Sequence, residues 1–498
     1  MHKRNQRRPS FSRVGLSPFL LLGLLGGCMS GTNYRPPVSA GAPAATGPFV
    51  SAAPGTDQAS ALPADWWRLY EDPALDGLVE TALAANTDLR VANANLLRAR
   101  AVLSEARAGR YPATTTSGGV TYGRGQTSQG GSYGTSDRQF TEQAGLAASW
   151  EVDLFGRVGR AIEAARADAE AVAAARDAVR VAVVAETTRS YSEACALGES
   201  IAVARSSLEL AQNSYRIVSA QQVAGSASSL DLERAGAAVA QARAAIAPLD
   251  GQRRASLFEL AALLGRTPSE VPNSAAGCAR PPELRRPIPI GDGAALLRRR
   301  PDVRQAERSL AADTARIGVA VADLYPRISL GGAANYAHSD KGSVGPALSF
   351  SFGPLISWSF PNVAVARARV RQARATAEAD LASFDGVVLT SLKETEQALS
   401  AYASALDERS ALSEARDRSE RAFRLADLRY RAGSISYLDQ IAAQSILIDA
   451  RARLASANLR VASDRIDLFK ALGGGWDDGS AALAPVETAA RRKAGHAR

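Results

Sequence analysis

The chain contains itself twice. Asp88-Leu89-Arg90 and Tyr111-Pro112 recur as Asp302-Val303-Arg304 and Tyr325-Pro326, each 214 residues on. Trp150, Glu186, the run Gly225-Ser226-x-Ser228-x-Leu230-Asp231 and Leu264-Gly265 recur as Trp358, Glu394, Gly433-Ser434-x-Ser436-x-Leu438-Asp439 and Leu472-Gly473, each 208 residues on. The first copy therefore carries six extra residues between its Tyr-Pro and its Trp, and the register is otherwise kept. A unit of about 200 residues is far longer than the repeats of a solenoid. Each copy must be a large structural half, and function should lie in what the two halves build together.

Within each half the hydrophobic period changes. From Asp65-Trp66-Trp67 to about Arg107 the Ala, Leu and Val positions recur at helical spacing, and residues 296 to 322 repeat that segment. After each Tyr-Pro the period becomes that of a strand. In the second copy Ile328, Leu330, Gly332, Ala334 and Tyr336 alternate with Arg327, Ser329, Gly331, Ala333 and Asn335. Leu348, Phe350 and Phe352 return against Ser349 and Ser351. The first copy alternates more weakly, with Val120 and Tyr122 going out and Phe140, Ala144, Leu146, Ala148 and Trp150 returning across a Gly/Ser loop from Gly123 to Ser136. Runs of about ten such residues suit a tilted transmembrane strand, and equally a soluble hairpin packed on one face. If the strands span a membrane, one chain cannot close: two hairpins give four strands and a barrel needs at least about eight. Three chains would supply twelve.

No proline occurs from Arg157 to Val223 or from Val363 to Gly433, and both stretches are rich in Ala, Arg and Glu. As helices they would each run roughly 100 Å at 1.5 Å per residue. Each ends at its Gly-Ser-x-Ser-x-Leu-Asp copy, which reads as the tip of a helical hairpin. Gly225 and Gly433 are expected as left-handed C-caps, and Ser228 and Ser436 as N-caps of return helices ending near Leu264 and Leu472. Pro248 should kink the first return helix only.

The amino terminus reads as a targeting segment. Lys3, Arg4, Arg7, Arg8 and Arg13 lead into the apolar run from Phe19 to Leu25, and Leu25-Gly26-Gly27-Cys28 resembles a bacterial lipobox with Cys28 as the acylated residue. Met29 after it resembles the outer-membrane sorting preference. Removing residues 1–27, which hold five basic and no acidic side chains, lowers the net charge from +9 to +4, so the basic balance does not argue for nucleic acid. The expected organisation is a signal peptide over 1–27, a lipidated Ala/Pro/Gly/Ser leader over 28–64, and a first repeat over 65–280 with strands about 113–150 and a helical hairpin about 157–265. A second repeat follows over 281–475, with strands about 327–358 and a hairpin about 363–473, and then a basic tail over 476–498.

Chemistry is sparse. Histidine stands only at positions 2, 338 and 496, in the signal, a hairpin loop and the tail, so neither a histidine triad nor a zinc site can form. No phosphate loop is visible, the acidic residues sit at helical spacing beside Arg and Ala, and no cofactor, metal or catalytic residue is expected. Besides Cys28 the chain holds Cys195 and Cys278, which an oxidising periplasm could join or leave as two buried thiols.

The lipobox, Trp66-Trp67-x-x-Tyr70, Ser149-Trp150-Glu151-Val152-Asp153-Leu154-Phe155-Gly156, Leu297-Arg298-Arg299-Arg300-Pro301-Asp302-Val303, Leu324-Tyr325-Pro326 and the duplicated tip motif together resemble the NodT-type, or OprM-like, branch of the TolC outer-membrane efflux proteins. The resemblance covers about residues 60 to 475. It implies an α+β homotrimer with a 12-stranded transmembrane β-barrel in the outer membrane, continued by a long periplasmic α-helical barrel. It also implies a passive exit duct for small molecules in a tripartite pump, with a periplasmic adaptor, an inner-membrane transporter of RND type and outer-membrane lipid as partners. Carried over by position, Asp439 would form an acidic ring at the periplasmic gate, and Tyr430 would latch onto Asp231 of the neighbouring repeat. A second acidic ring would fall at Ala442, and an Arg that ties the closed tip in some members at Ile435, so a carboxylate lattice is incomplete here. Asp231 and Asp439 can also be read simply as first-turn acids complementing a helix dipole. A periplasmic adaptor or a structural envelope lipoprotein shares the lipobox and long hairpins, but would not need two duplicated strand hairpins.

Overall fold

The computed structural model describes residues 30–476 apart from 52–53, 61, 125, 130–131, 136–137, 341–346 and 361–362. Cys28, the signal segment and residues 477–498 lie outside the described residues. The chain divides into two compact units, one drawn from residues 1–35, 99–169 and 309–380 and the other from 36–98, 170–308 and 381–498.

The first unit holds a four-stranded antiparallel sheet of β1 (Ala113–Gly123), β2 (Gln139–Val152), β3 (Arg327–Ser339) and β4 (Ala347–Ser357), in the order β1-β2-β3-β4. The register places every even-numbered residue of the four strands on one face. Tyr122 lies opposite Phe140, Ala144 opposite Tyr336, Trp150 opposite Leu330, and Ala334 opposite Phe350. That face carries Val120, Tyr122, Phe140, Leu146, Leu348, Phe350 and Phe352, all exposed, with Phe350 86% and Phe352 83% open. The odd face is mostly Ser, Thr, Gly, Gln and Ala, with Glu151, Arg327, Asn335 and Leu355 among them. A large apolar face left open is the reverse of a soluble hairpin's arrangement, in which that face is packed on a core. Pro354 lacks an N–H and falls in β4, the last strand in the order of this sheet. The Gly/Ser loop between β1 and β2 contains a short paired ribbon of Gln126–Gln129 and Ser132–Thr135.

The helices are α1 (Pro73–Ala85), α2 (Thr87–Ala108), α3 (Arg157–Val223), α4 (Ser229–Ala244), α5 (Ile246–Leu263), α6 (Gly293–Arg299), α7 (Pro301–Ala322), α8 (Ala364–Arg431) and α9 (Tyr437–Ala471). At 67 and 68 residues, α3 and α8 each run about 100 Å. The first return helix breaks between α4 and α5 at Ala245 while its counterpart α9 is continuous. Pro248 is the cause: lacking an N–H, it leaves the carbonyl of Ala244 without its helical partner.

The strand-to-helix passage explains one of the sequence motifs residue by residue. The Trp150 indole donates to the Arg110 carbonyl at 2.9 Å, and its counterpart Trp358 to the Leu324 carbonyl at 3.2 Å, so the duplication extends to individual bonds. Glu151 receives the Arg157 guanidinium. Asp153 caps α3 by accepting from the N–H groups of Val158 and Gly159 at 2.9 and 2.7 Å. Gly156 takes φ 76°, a left-handed conformation that disfavours a side chain.

In the second unit the core gathers on Trp66, which stacks on Phe469 at 4.3 Å and is joined by Trp67, Tyr70, Leu75, Leu260 and Leu468. Two expectations need correction. The leader is not only a tether, because Ala45, Phe49 and Leu62 are buried, and Phe49 and Leu62 belong to this core. Trp476, placed by sequence at the start of the tail, is buried and donates to the Arg299 carbonyl at 2.9 Å. In both cases isolated apolar residues in a polar context find a pocket that composition does not reveal.

Candidate functional site: the two hairpin tips

Both tips are built by the same backbone device. Helix α3 ends with Gly225 at φ 72°, its N–H bonded to the Gln222 carbonyl, and with the Ser226 N–H bonded to the Gln221 carbonyl. Helix α8 ends identically, with Gly433 at φ 72° bonded to Tyr430 and Ser434 to Arg429. This double closure satisfies the last carbonyls of a helix and turns the chain sharply. Ser228 and Ser436 then begin the return helices as N-caps, accepting from the N–H groups of Asp231 and Asp439 at 3.1 and 3.2 Å.

The two aspartates are in unequal positions. Asp231 is half-buried, accepts from the Ser228 hydroxyl at 2.7 Å and faces Arg234 at 3.5 Å. Asp439 is exposed and, among the described residues, is bound by its own cap alone, through the Ser436 hydroxyl at 2.7 Å and N–H at 3.2 Å. Its charge is thus offset there by one helix terminus and by no basic side chain among those residues. Ala442 is exposed and Ile435 half-buried, as apolar residues in positions without polar partners.

Tyr430 does not bond to Asp231. Its hydroxyl donates to Gln221 Oε1, and its ring lies 5.6 Å from that of Tyr437 in a cluster with Val218 and Ala235. The carboxylate is already engaged by Ser228 and Arg234, so the nearby neutral amide takes the hydroxyl. Burial first, and the charge of Asp231 second, hold the Tyr430 hydroxyl above its ordinary value, so it stays protonated. The tip residues that sequence reasoning missed are Gln221, Gln440 and Gln444. Gln440 and Gln444 are buried, 3% and 1% exposed, and the Ser214 hydroxyl reaches Gln440 at 3.5 Å. The signal was present: Tyr437, Gln440, Gln444 and Leu447 fall on one face of α9 at helical spacing.

Away from the tips, Cys195 and Cys278 are joined by a disulfide with Cα atoms 4.9 Å apart. Arg253 braces it, donating to the carbonyls of Ala194, Ala276 and Cys278. Among the described residues no group of His, Cys, Asp or Glu side chains could hold a metal ion, and no helix is long and apolar enough to cross a membrane.

A duplicated pair of strand hairpins with an open apolar face, continued in sequence by helices of about 100 Å, defines a TolC-like outer-membrane channel. Comparison with known proteins agrees, and the chain belongs to the outer membrane efflux protein family, whose model matches residues 78–266 and 294–474. Nodulation protein T of Rhizobium leguminosarum bv. viciae is 32% identical over 463 residues, covering 91% of this chain and 92% of that protein. The toluene efflux pump outer membrane protein TtgC of Pseudomonas putida is 31% identical over 465 residues, covering 91% and 94%. The solved outer-membrane channel OprN superposes with a TM-score of 0.82 at 33% identity over 90% of this chain and all of that one. The protein is an outer-membrane efflux channel extending into the periplasm, not an enzyme, and the adaptor and structural-lipoprotein alternatives fall away.

Proposed function

We propose that three copies of this chain close their sheets edge to edge into a 12-stranded transmembrane β-barrel, with the long helices of the three forming one periplasmic α-helical barrel. The observation that carries this reading is the four-stranded sheet itself. Its apolar even face is open, and β1 and β4 have no further partner among the described residues. In lipid every backbone donor and acceptor must be paired, and four strands cannot close on themselves. The assembly is a passive exit duct of a tripartite pump, receiving small molecules through a periplasmic adaptor from an RND-type inner-membrane transporter, in keeping with the efflux-pump relatives. Cys28 carries the acyl chains that anchor the leader to outer-membrane lipid. At the periplasmic mouth Asp439 supplies the exposed acidic ring, while the Tyr430–Gln221 bond holds the two tips of one chain together and Asp231 serves its own helix start.

Native mass spectrometry of the detergent-purified protein tests the assembly. The expected mass is that of three mature chains, and heating should convert it to a monomer that has lost its strand signal. A folded monomer with intact β-structure would refute the closure. Palmitate labelling tests the anchor separately, and Cys28→Ser should abolish it.

A further inference from the structure

Arg160, near the start of α3, is 1% exposed and among the largest fully buried side chains in the chain. A guanidinium in that position must have its donors met, since burying an unpaired charge is costly. One partner is local, Glu163 Oε2 at 2.8 Å. The other three belong to the leader. Nε donates to the Ser30 carbonyl at 3.1 Å, and Nη2 to the Gly31 carbonyl at 3.4 Å and to Asn33 Oδ1 at 2.7 Å. The leader is fastened at its start as well, with the Ser30 N–H donating to the Phe155 carbonyl at 3.2 Å.

Two glycines make room for it. Gly31 adopts φ 89°, and a side-chain carbon there would stand 2.7 Å from the Cα of Gly318 on α7. A carbon added to Gly318 would in turn meet Arg160 Cγ and Cδ at 2.8 Å. Backbone therefore lies on backbone, with the arginine stem filling the remaining space. Further along, Tyr34 packs on Ala167, Ala311 and Ala312. Such a fit on both sides, with a buried cation facing main-chain carbonyls, is a built receptor for a peptide segment.

We propose that Arg160, Gly318 and the Phe155 carbonyl form an intramolecular receptor for the amino-terminal leader, so that residues 30–34 are a docked element of the first unit. Phe155 follows β2 and stacks on Tyr325 at 4.7 Å, just before β3, so Ser30 is pinned where the first repeat leaves the sheet and the second enters it. Arg160 is a positioning residue that acts through the leader, and the receptor stands independently of the acylation of Cys28 proposed above.

Hydrogen exchange on the full-length protein in detergent, read on the peptide covering residues 30–35, tests the receptor. The wild-type peptide should be protected, and Gly318→Val should raise its exchange by roughly tenfold or more by undocking the leader and freeing the Ser30 N–H from the Phe155 carbonyl. Asn33→Ala, which removes one acceptor and leaves the helices untouched, should give a smaller increase in the same peptide with the strand peptides unchanged. It also serves should Gly318→Val fail to fold. A wild-type leader exchanging as fast as an unstructured peptide, or no change in Asn33→Ala, would overturn the receptor. Palmitate incorporation measured on the same preparations separates the two readings: an unlabelled chain with a protected leader removes the acylation and leaves the receptor standing.

Discussion

Replacing Tyr430 by Phe removes one hydroxyl and keeps the ring that packs against Tyr437 5.6 Å away. The hydroxyl donates to the neutral amide of Gln221, so its net worth is that of an ordinary hydrogen bond, about 1 kcal/mol, and the closed-to-open balance of the tip should shift about fivefold. A bond to the Asp231 carboxylate would be charge-assisted, worth about 1.5–3 kcal/mol, and would shift the balance by ten- to a hundredfold. The two are separable in planar bilayers, where open probability is read directly and a double-mutant cycle isolates the pair. Tyr430→Phe combined with Gln221→Met should show a coupling of about 1 kcal/mol, and combined with Asp231→Asn a coupling near zero. A larger coupling to Asp231 than to Gln221 would refute the argument and restore the carried-over latch. The pH dependence follows from the sign of the shift. Because the folded-state value is raised above 10.0, the contribution is fully present below pH 10 and is lost only as pH rises through the elevated value. This bond should therefore contribute no pH dependence to gating between pH 6 and 9.

Three further outcomes are expected. Asp439→Ala should raise single-channel conductance and lower cation preference, because three exposed carboxylates drawn to one axis would repel each other and gather cations; unchanged conductance and selectivity would mean the mouth closes by packing alone. Reduction of Cys195–Cys278, which spans 83 residues, should lower the unfolding free energy by up to about 4.5 kcal/mol on the chain-entropy estimate, measured by denaturant titration with and without reductant. Two alkylatable thiols in the unreduced, denatured protein would remove that expectation. Asp380 shares a hydrogen bond with Asp313, which together with burial pushes it up to about 6 against the pull of Arg316. A raised value means that the stabilisation is present below the ordinary value of 3.8 and is lost as pH rises through about 6. Thermal melts should thus be higher at pH 5 than at pH 7.5, and Asp380→Asn should flatten the difference and stabilise the pH 7.5 protein by about 1 kcal/mol after solvent screening.

The architecture was readable because it is written in long-range regularities. Duplication at fixed offsets shows in sequence and again in bonds, as with Trp150 and Trp358. The absence of proline over some seventy residues, and its presence at position 248, read directly as helix and kink. What was hidden depends on which neighbour wins a shared group. Tyr430 has both an amide and a carboxylate nearby, and only the prior engagement of Asp231 by Ser228 and Arg234 decides between them. Arg160 was hidden for another reason: three residues before a Glu on a helix rich in Arg, it has the pattern of a solvated surface pair. Only the approach of the leader and of Gly318 turns it into a buried group.

The sheet has two unlike margins. One is the Thr-, Ser- and Gly-rich strand Ala113–Gly123, and the other the Phe-bearing strand Ala347–Ser357. On the proposed three-copy closure each seam joins one kind of margin to the other, a head-to-tail arrangement in which every chain serves two neighbours with different surfaces. A variant spoiled at one margin would still dock through its sound side and so trap healthy copies in rings that never seal. In a cell making equal amounts of both, only about one ring in eight would be free of the defect. Edge lesions should therefore be genetically dominant, whereas deletion of the whole chain should be recessive.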